Sequence, residues 1–425
     1  MRIAFATFGC KINQYETDLL RQDFASQGNT IVPFEGEADV YIINTCSVTA
    51  KSDTECRRTI RAAVRRGCGA RVVVTGCYAE TRAEEVKNIP GVDLVIGNND
   101  KSAIPRRLLS PLSPPLERDR TPLASVAVKA VQERTRGFLK IQTGCDNHCS
   151  YCIVPLARGG SRSASPADVV NEFEQLVEAG CLEIVLTGIH IGAYGNDLPD
   201  RISLTDMLAM LLAKRGGTRL RLSSIEPREI TTDMIRMLGN GLCRHLHIPL
   251  QSGDDGILAS MKRNYTSRFY RELLDRIEKE VPGVAIGADV MVGYPGEGDA
   301  EFRNTMRLVE SAPLTHLHVF SYSPRPDTRA ATMKNQVTDS TKKERNETLR
   351  RLGKEKNIAF RKKNLGSTLD VVVEDKMDAE TGLLSGLTDN YIRVRIAGAK
   401  KELIGKEIQI RVTRVGKDDN FAVVI

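Results

Sequence analysis

The chain has 425 residues, 41% hydrophobic and 27% charged, with a net charge of +7 and no tryptophan. That length suits about two to three globular domains, and no apolar run approaches the roughly 18 residues that suggest a membrane span. Ten cysteines in so long a chain do not make a small disulfide scaffold, and the start, Met1 to Cys10 running into Lys11, Asn13 and Gln14, lacks the apolar core of a secretion signal. The expected compartment is the cytoplasm, with reduced thiols available as ligands. The charge is a mild bias toward polyanions such as RNA, one that many enzymes share.

The first hundred residues repeat one pattern. Apolar runs at Ile3–Phe8, Val40–Ile43, Val72–Val74 and Val92–Ile96 are each followed by polar turn residues, and helical stretches separate them. Short apolar strands alternating with helices predict a parallel α/β sheet, here of flavodoxin-like type. Ligands of such sheets bind beyond the carboxyl ends of the strands. Cys10, Cys46 and Cys77 each stand at such an end, so three thiols distant in sequence are expected to meet at one sheet edge. The competing reading is three buried cysteines, a common fate of that residue.

Residues 105 to about 130 carry Pro105, Pro111, Pro114, Pro115 and Pro122 and read as a linker, with domain limits at 1–112, 113–130, 131–362 and 363–425. Beyond it, strands are expected at Gly137–Gln142, Ile184–Leu186, Leu220–Leu222, His245–Ile248, Val284–Val290 and His316–Phe320, separated by helices. Six such units predict an open or partial α/β barrel with its chemistry at the carboxyl ends of the strands. Thr341 to Lys363 has helical composition and is strongly basic; it is either a solvated face or an RNA contact. Five short runs follow, from Leu369 to Ile425, and predict a small antiparallel, OB-like barrel.

Directly after the first of the six strands stands Cys145-Asp-Asn-His-Cys149-Ser-Tyr-Cys152. Closely spaced thiolates on a loop suit an iron–sulfur cluster. Three ligands leave one iron open, whereas a structural zinc site is closed by four. Zinc with His148 as fourth ligand is the competing reading.

These residues together resemble the radical S-adenosylmethionine (SAM) methylthiotransferases. Thr7 to Glu16, Asn44 to Thr49 and Thr75 to Ala79 are similar to the family's three amino-terminal cysteine motifs. The central loop, His247 to Gly253, Met261 to Thr266, Val292 to Glu297 and Tyr322 to Pro326 are similar to its core. The last barrel resembles the TRAM RNA-binding module. One departure is Gly298, where the family more often has threonine.

The resemblance implies two [4Fe–4S] clusters. Cys145, Cys149 and Cys152 would hold the one whose open iron binds SAM, and Cys10, Cys46 and Cys77 the one that carries the sulfur group. It implies a 5′-deoxyadenosyl radical acting on C2 of a tRNA adenine, and a flavodoxin- or ferredoxin-type electron donor. Leu186 to Gly195 and Ile96 to Lys101 resemble the subfamily that modifies N6-threonylcarbamoyladenosine beside the anticodon. The alternatives are isopentenyladenosine, a ribosomal-protein aspartate, or a non-catalytic iron–sulfur RNA-binding sensor. Tyr151, Thr187, Gly188, Gln251, Gly293 and Glu297 are the candidates for the SAM pocket, each with a plain structural alternative. Glu226 and Arg228 are candidates for a polar role. Cys181 and Cys243 are expected to be packing residues, and Cys68 an alternative ligand.

Overall fold

The computed structural model describes residues 1–67, 69–109, 136–417 and 420–425. Cys68 and the expected linker at 113–130 lie outside the described residues. No helix among the described residues is long and apolar enough to cross a membrane.

The amino-terminal unit is a five-stranded sheet of β1 (Arg2–Thr7), β2 (Thr30–Val32), β3 (Val40–Thr45), β4 (Arg71–Gly76) and β5 (Leu94–Ile96) in the order β2-β1-β3-β4-β5. All of its pairings are parallel. That order is the flavodoxin-like doubly wound arrangement. Alternation explains it: Ala4, Ile43, Val72 and Val74 pack on one face, and Ile3, Phe5, Ile42 and Val73 on the other. Side chains of period two with both alternations apolar require a cover on each face. The edge strand β2 is absent from the sequence expectation because its run, Thr30–Val32, holds only two apolar residues. The first residues of the expected linker fold as the helix Ile104–Leu109; Pro105 stands in its first turn, where a missing N–H costs nothing.

The central unit holds six main strands: β6 (Arg136–Lys140), β9 (Glu183–Thr187), β10 (Arg219–Leu222), β11 (His245–His247), β12 (Ala285–Val292) and β13 (His316–Ser321). A small antiparallel hairpin, β7 (Gln142–Thr143) with β8 (Arg162–Ser163), brackets the cysteine loop. The main strands form two parallel three-stranded sheets, β10-β9-β6 and β11-β12-β13. Parallel bridges Leu220↔Leu242 and Ser224↔His247 join them into a partial barrel. Leu139, Ile184, Leu186, Leu220, Ile286, Ala288 and Val290 point outward to the helices and form the main core. The opposite, luminal side of these strands is polar and carries Glu183, Arg219, Arg221, Asp289 and four histidines.

The last 25-residue helix, Asp339–Lys363, leads into a closed barrel of β14 (Thr368–Met377), β15 (Leu384–Thr388), β16 (Arg393–Ala397), β17 (Glu407–Val415) and β18 (Asn420–Val424). Four of its pairings are antiparallel, and β16 with β18 is parallel. The turn between β15 and β16 plugs the amino-terminal end of the central barrel. Arg219 donates to the Leu387 carbonyl at 2.6 Å and Arg221 to those of Thr388 at 3.0 Å and Asp389 at 3.1 Å. Both arginines also pair at 2.8 Å with the fully buried Glu183. The carboxyl ends of the central strands are left free for the cysteine loop.

Candidate functional site

Parallel register explains how Cys10, Cys46 and Cys77 come together. Thr7 pairs with Asn44 and Thr45 with Gly76, so Cys46 and Cys77 leave the sheet side by side. Two glycines make the approach possible. Gly76 has φ of +99°, and a Cβ there would lie 2.3 Å from the Thr45 carbonyl oxygen. Gly9 has φ of +97°, and its Cβ would lie 2.9 Å from Cys46 Sγ. Such backbone positions belong to glycine. Cys10 is exposed and caps the helix Lys11–Ser26; Cys46 and Cys77 are buried. The Cys46 thiol is pushed up by burial and by the nearby charges of Cys77 and Cys10.

The second thiol set lies on the loop after β7. Gly144 turns the chain with φ of +72°, 1.9 Å being all that would separate its Cβ from the Gly160 carbonyl oxygen. Cys145 N–H donates to Gly159 O and Cys152 N–H to Cys149 O, each at 3.1 Å. Burial, then the charges of Cys149 and Cys145, push the Cys152 thiol up to about 12. The charge of a bound metal would reverse the rise at Cys46 and Cys152 and deprotonate these thiols. Both sets therefore fit an iron–sulfur cluster, each with three thiolates. His148 is exposed, and its ring makes no hydrogen bond to the three thiols among the described residues.

Neighbours missing from the sequence reading complete this loop. His190 Nδ1 lies 3.7 Å from Cys145 Sγ, and its Nε2 is bonded to Glu229. Burial pushes His190 down, but Cys145 and Glu229 outweigh it and raise it to about 10. Arg263 donates to Cys149 Sγ at 3.5 Å and is paired with Glu226. Arg263 lies in the Met261–Thr266 segment already singled out, so the signal was present; Glu229 closes the quoted Glu226–Glu229 run. Arg228 lies over the Phe269 ring at 5.7 Å, away from the thiols.

The SAM-pocket candidates divide into two groups. Tyr151 packs edge-on to Tyr294 with ring centroids 6.4 Å apart. Thr187 ends β9, buried, and its carbonyl accepts from Ile141 N–H at 3.0 Å. Gly188 lies against Gln142, whose Oε1 accepts from Ile189 N–H at 3.1 Å and His190 N–H at 2.8 Å. Gln251 has φ of +63°. Its Oε1 is buried without a hydrogen-bond partner among the described residues, as are Ser223 Oγ and Glu229 Oε2. All three follow carboxyl ends of luminal strands. Buried acceptors are rarely left unpaired, so these atoms suit a ligand rich in donors. Gly293 and Glu297 instead hold a turn: Glu297 accepts from Gly293 N–H at 2.9 Å and from Arg345 at 2.7 Å. Gly298, the departure from the family pattern, begins the helix Asp299–Ser311, its N–H bonded to Glu301 at 2.9 Å.

The two thiol sets are physically coupled. The helix Val154–Arg158 starts just after Cys152 and packs on the helix Cys77–Thr81. Arg158, at its end, lies in the field of Cys77 and Cys10. It donates to Asn13 at 2.5 Å and to Glu16 at 2.8 Å. Glu16 also takes Lys101 at 2.5 Å and Lys140 at 3.3 Å. Asn98 bridges Cys77 Sγ at 3.6 Å and Ala157 O at 2.6 Å. Arg325 reaches back to Ser47 at 3.0 Å and to Asp53, beside Cys46. The remaining described cysteines, Cys56, Cys181 and Cys243, are buried in packing positions.

Comparison with known proteins agrees with this division into three units. Residues 2–97 match the model of the uncharacterized protein family UPF0004, 139–309 the radical SAM superfamily and 362–425 the TRAM domain. The chain is 39% identical to the threonylcarbamoyladenosine tRNA methylthiotransferase MtaB of Bacillus subtilis, covering 97% of this chain and 94% of that protein. It is 36% identical to the protein of the same name in Aquifex aeolicus, covering 97% and 100%. Identity is 31%, covering 96% and 95%, to a tRNA-2-methylthio-N(6)-dimethylallyladenosine synthase of Moorella thermoacetica. The fold is similar to that of the radical SAM methyltransferase TsrM of Kitasatospora setae, solved with cobalamin and a [4Fe–4S] cluster. That likeness has a TM-score of 0.58 at 17% identity, covering 78% of this chain and 76% of the other. Enzymes of this kind use [4Fe–4S] clusters and SAM, and identity of this extent over nearly the whole chain decides the assignment: the protein belongs to the radical SAM methylthiotransferase family.

Proposed function

We propose that this enzyme methylthiolates C2 of N6-threonylcarbamoyladenosine next to the anticodon, using SAM in two steps. The observation that carries the reading is the coupling of two separate three-thiol sets through Arg158 and Glu16. Cys145, Cys149 and Cys152 would hold one cluster and Cys10, Cys46 and Cys77 the other. When bound, the first cluster with SAM supplies a radical able to attack an unactivated C–H bond, and the second supplies the sulfur group. The chain's own contribution is placement. Gly76 and Gly9 bring the second thiol set together. Arg263 and His190 orient two thiols of the first set, and Ser223, Glu229 and Gln251 offer acceptors to the amino and hydroxyl groups of SAM. Tyr151 and Tyr294 wall the pocket on its apolar side.

The choice of threonylcarbamoyladenosine over isopentenyladenosine is supported by the names of the more similar relatives. The RNA itself is assigned to a cleft of about 550 Å³ between the helix Asp339–Lys363 and the carboxyl-terminal barrel, lined among the described residues by Arg350, Lys354, Lys376 and Lys417, with Arg361 held by Lys417 O, Arg393 by Glu374 and Arg395 by Asp378. Such a stripe of cations neutralises phosphates. The reading places the enzyme in the cytoplasm, where it takes electrons from a flavodoxin- or ferredoxin-type donor. Nucleoside mass analysis of tRNA from a deletion strain tests it. The methylthio mark should vanish from threonylcarbamoyladenosine alone; an unchanged profile, or loss from isopentenyladenosine, refutes the assignment.

A further inference from the structure

The luminal face of the central barrel holds a cluster of imidazoles around one carboxylate, with no cysteine in it. Register builds it. His247 on β11 pairs with Gly287 on β12, and Asp289, two residues further along β12, pairs with His318 on β13. Paired residues, and residues two apart on a strand, share a face, so His247, Gly287, Asp289, His316 and His318 all look into the lumen. Gly287 makes room for the His316 ring, because a Cβ there would lie 2.1 Å from His316 Nε2. The His247 ring centroid is 5.1 Å from that of His318 and 5.9 Å from that of His316. The backbone under Asp289 is held firmly: its carbonyl accepts from Leu250 N–H at 3.1 Å and from Gln251 N–H at 2.8 Å.

We propose that His247, Asp289 and His318 form a binding site for a divalent transition-metal ion, separate from both thiol sets. Three features carry it. The first is geometry. His247 Nε2 lies 3.0 Å from Asp289 Oδ1, and His318 Nδ1 lies 3.4 Å from the same oxygen. One ligand atom from each residue lies within 4.8 Å of the others. Nitrogen and oxygen ligands hold zinc tetrahedrally at about 2.0–2.1 Å, which makes the edge of the tetrahedron about 3.3 Å long. Both separations lie close to that edge. The second is charge. Among the described residues Asp289 has these two histidines as its ion-pair partners, and no lysine or arginine. A carboxylate inside a barrel needs a cation, and a divalent ion supplies one while both imidazoles stay neutral and offer lone pairs. The third is access. The His247 side chain is 10% exposed and that of Asp289 24%, but His318, on the edge strand of its sheet, is 71% exposed. An ion can enter past His318. Two imidazoles and a carboxylate suit zinc or ferrous iron. Three protein ligands leave a fourth position for water, as in catalytic rather than structural zinc sites. Gln251, bonded to the Asp289 carbonyl, joins this site to the pocket assigned to SAM. The site stands whichever nucleoside the enzyme modifies.

Zinc is the probe, and the reconstituted holoenzyme with its iron–sulfur clusters in place is the protein. Wild type, His318→Ala and Asp289→Asn are equilibrated anaerobically with buffered zinc, desalted, and assayed for zinc and iron by mass spectrometry. Wild type should keep about one zinc per chain on top of its full cluster iron, with only nitrogen and oxygen neighbours at about 2.0–2.1 Å in zinc-edge X-ray absorption. Each variant should bind zinc about tenfold or more weakly while its iron content stays that of wild type. His318→Ala alters an exposed edge-strand side chain, so it keeps the test open if Asp289→Asn does not fold. A wild type that retains no zinc overturns the site. So does zinc with sulfur neighbours at about 2.3 Å, which would place the ion on the thiols. Zinc affinity unchanged in iron-replete His318→Ala overturns it as well, whatever Asp289→Asn does.

Discussion

Arg158 Nη1 donates to Glu16 Oε1 at 2.8 Å, linking the helix after Cys152 to the helix after Cys10. Both side chains are almost wholly buried. Burial alone would raise the Glu16 carboxyl, but Lys101, Arg158 and Lys140 outweigh it and hold it well below the ordinary range. A depressed folded pKa contributes stability that is present above the unfolded value, near pH 4.5, and lost as pH falls through the folded one. Docking of the amino-terminal unit should therefore weaken in acid. Arg158→Met leaves Glu16 with Lys101 and Lys140 alone and should cost about 1.5–3 kcal/mol in denaturant unfolding. The same variant should still cleave SAM while methylthio transfer drops at least tenfold, as read by product mass analysis.

The Tyr15 hydroxyl donates to Glu172 at 2.8 Å across the same junction. Burial raises the Glu172 carboxyl to about 7. The folded state thus holds a proton that the unfolded chain releases near pH 4.5, so this group lowers stability as pH rises from there to about 7. Glu172→Gln should flatten that segment of the stability profile and stabilise the protein at pH 8 by up to roughly 3 kcal/mol. Urea melts at pH 5 and pH 8 provide the comparison; an equal pH slope in both proteins contradicts it.

Gly76 has no room for a methyl group beside the Thr45 carbonyl. Gly76→Ala should displace Cys77 and reduce bound iron by about half, leaving SAM cleavage at the other site. Iron and sulfide assays on reconstituted protein report this directly.

Arg350 and Lys354 face the basic cleft. Reversing both to glutamate should weaken tRNA binding at low salt. It should also reduce the slope of log K against log salt by about 1–2, as expected for roughly one phosphate contact per cation. An unchanged slope would return this helix to an ordinary solvated surface.

The cysteine positions and the strands before them were legible because short continuous apolar runs stop abruptly before Gly–Cys or Thr–Cys. The tertiary partners were not. Glu16, Lys101, Lys140 and Arg158 look like ordinary surface charges in sequence, and only the docking of two units buries them together. His190 and Arg263 were inside quoted motifs, but their roles depend on which sulfur they meet, information that spacing does not carry. Glu297 was read as a pocket residue from its place after a strand; in the fold Arg345, a distant helix residue, engages it. The His-Leu-His runs of β11 and β13 each put two histidines on one face, but that the two pairs meet follows from the register of β11 with β12 and β12 with β13, which local sequence does not carry.

The central claim is that the two thiol sets divide the reaction between them. It is tested most directly by reconstituting wild type and the Cys10→Ala, Cys46→Ala, Cys77→Ala triple variant, then supplying SAM, a reductant and threonylcarbamoyladenosine stem–loop RNA. Wild type should yield both 5′-deoxyadenosine and the 2-methylthio nucleoside, whereas the variant should yield 5′-deoxyadenosine and no methylthio product. Methylthio product from the variant, or loss of both products together in a folded variant that retains the Cys145–Cys152 cluster, would contradict the account.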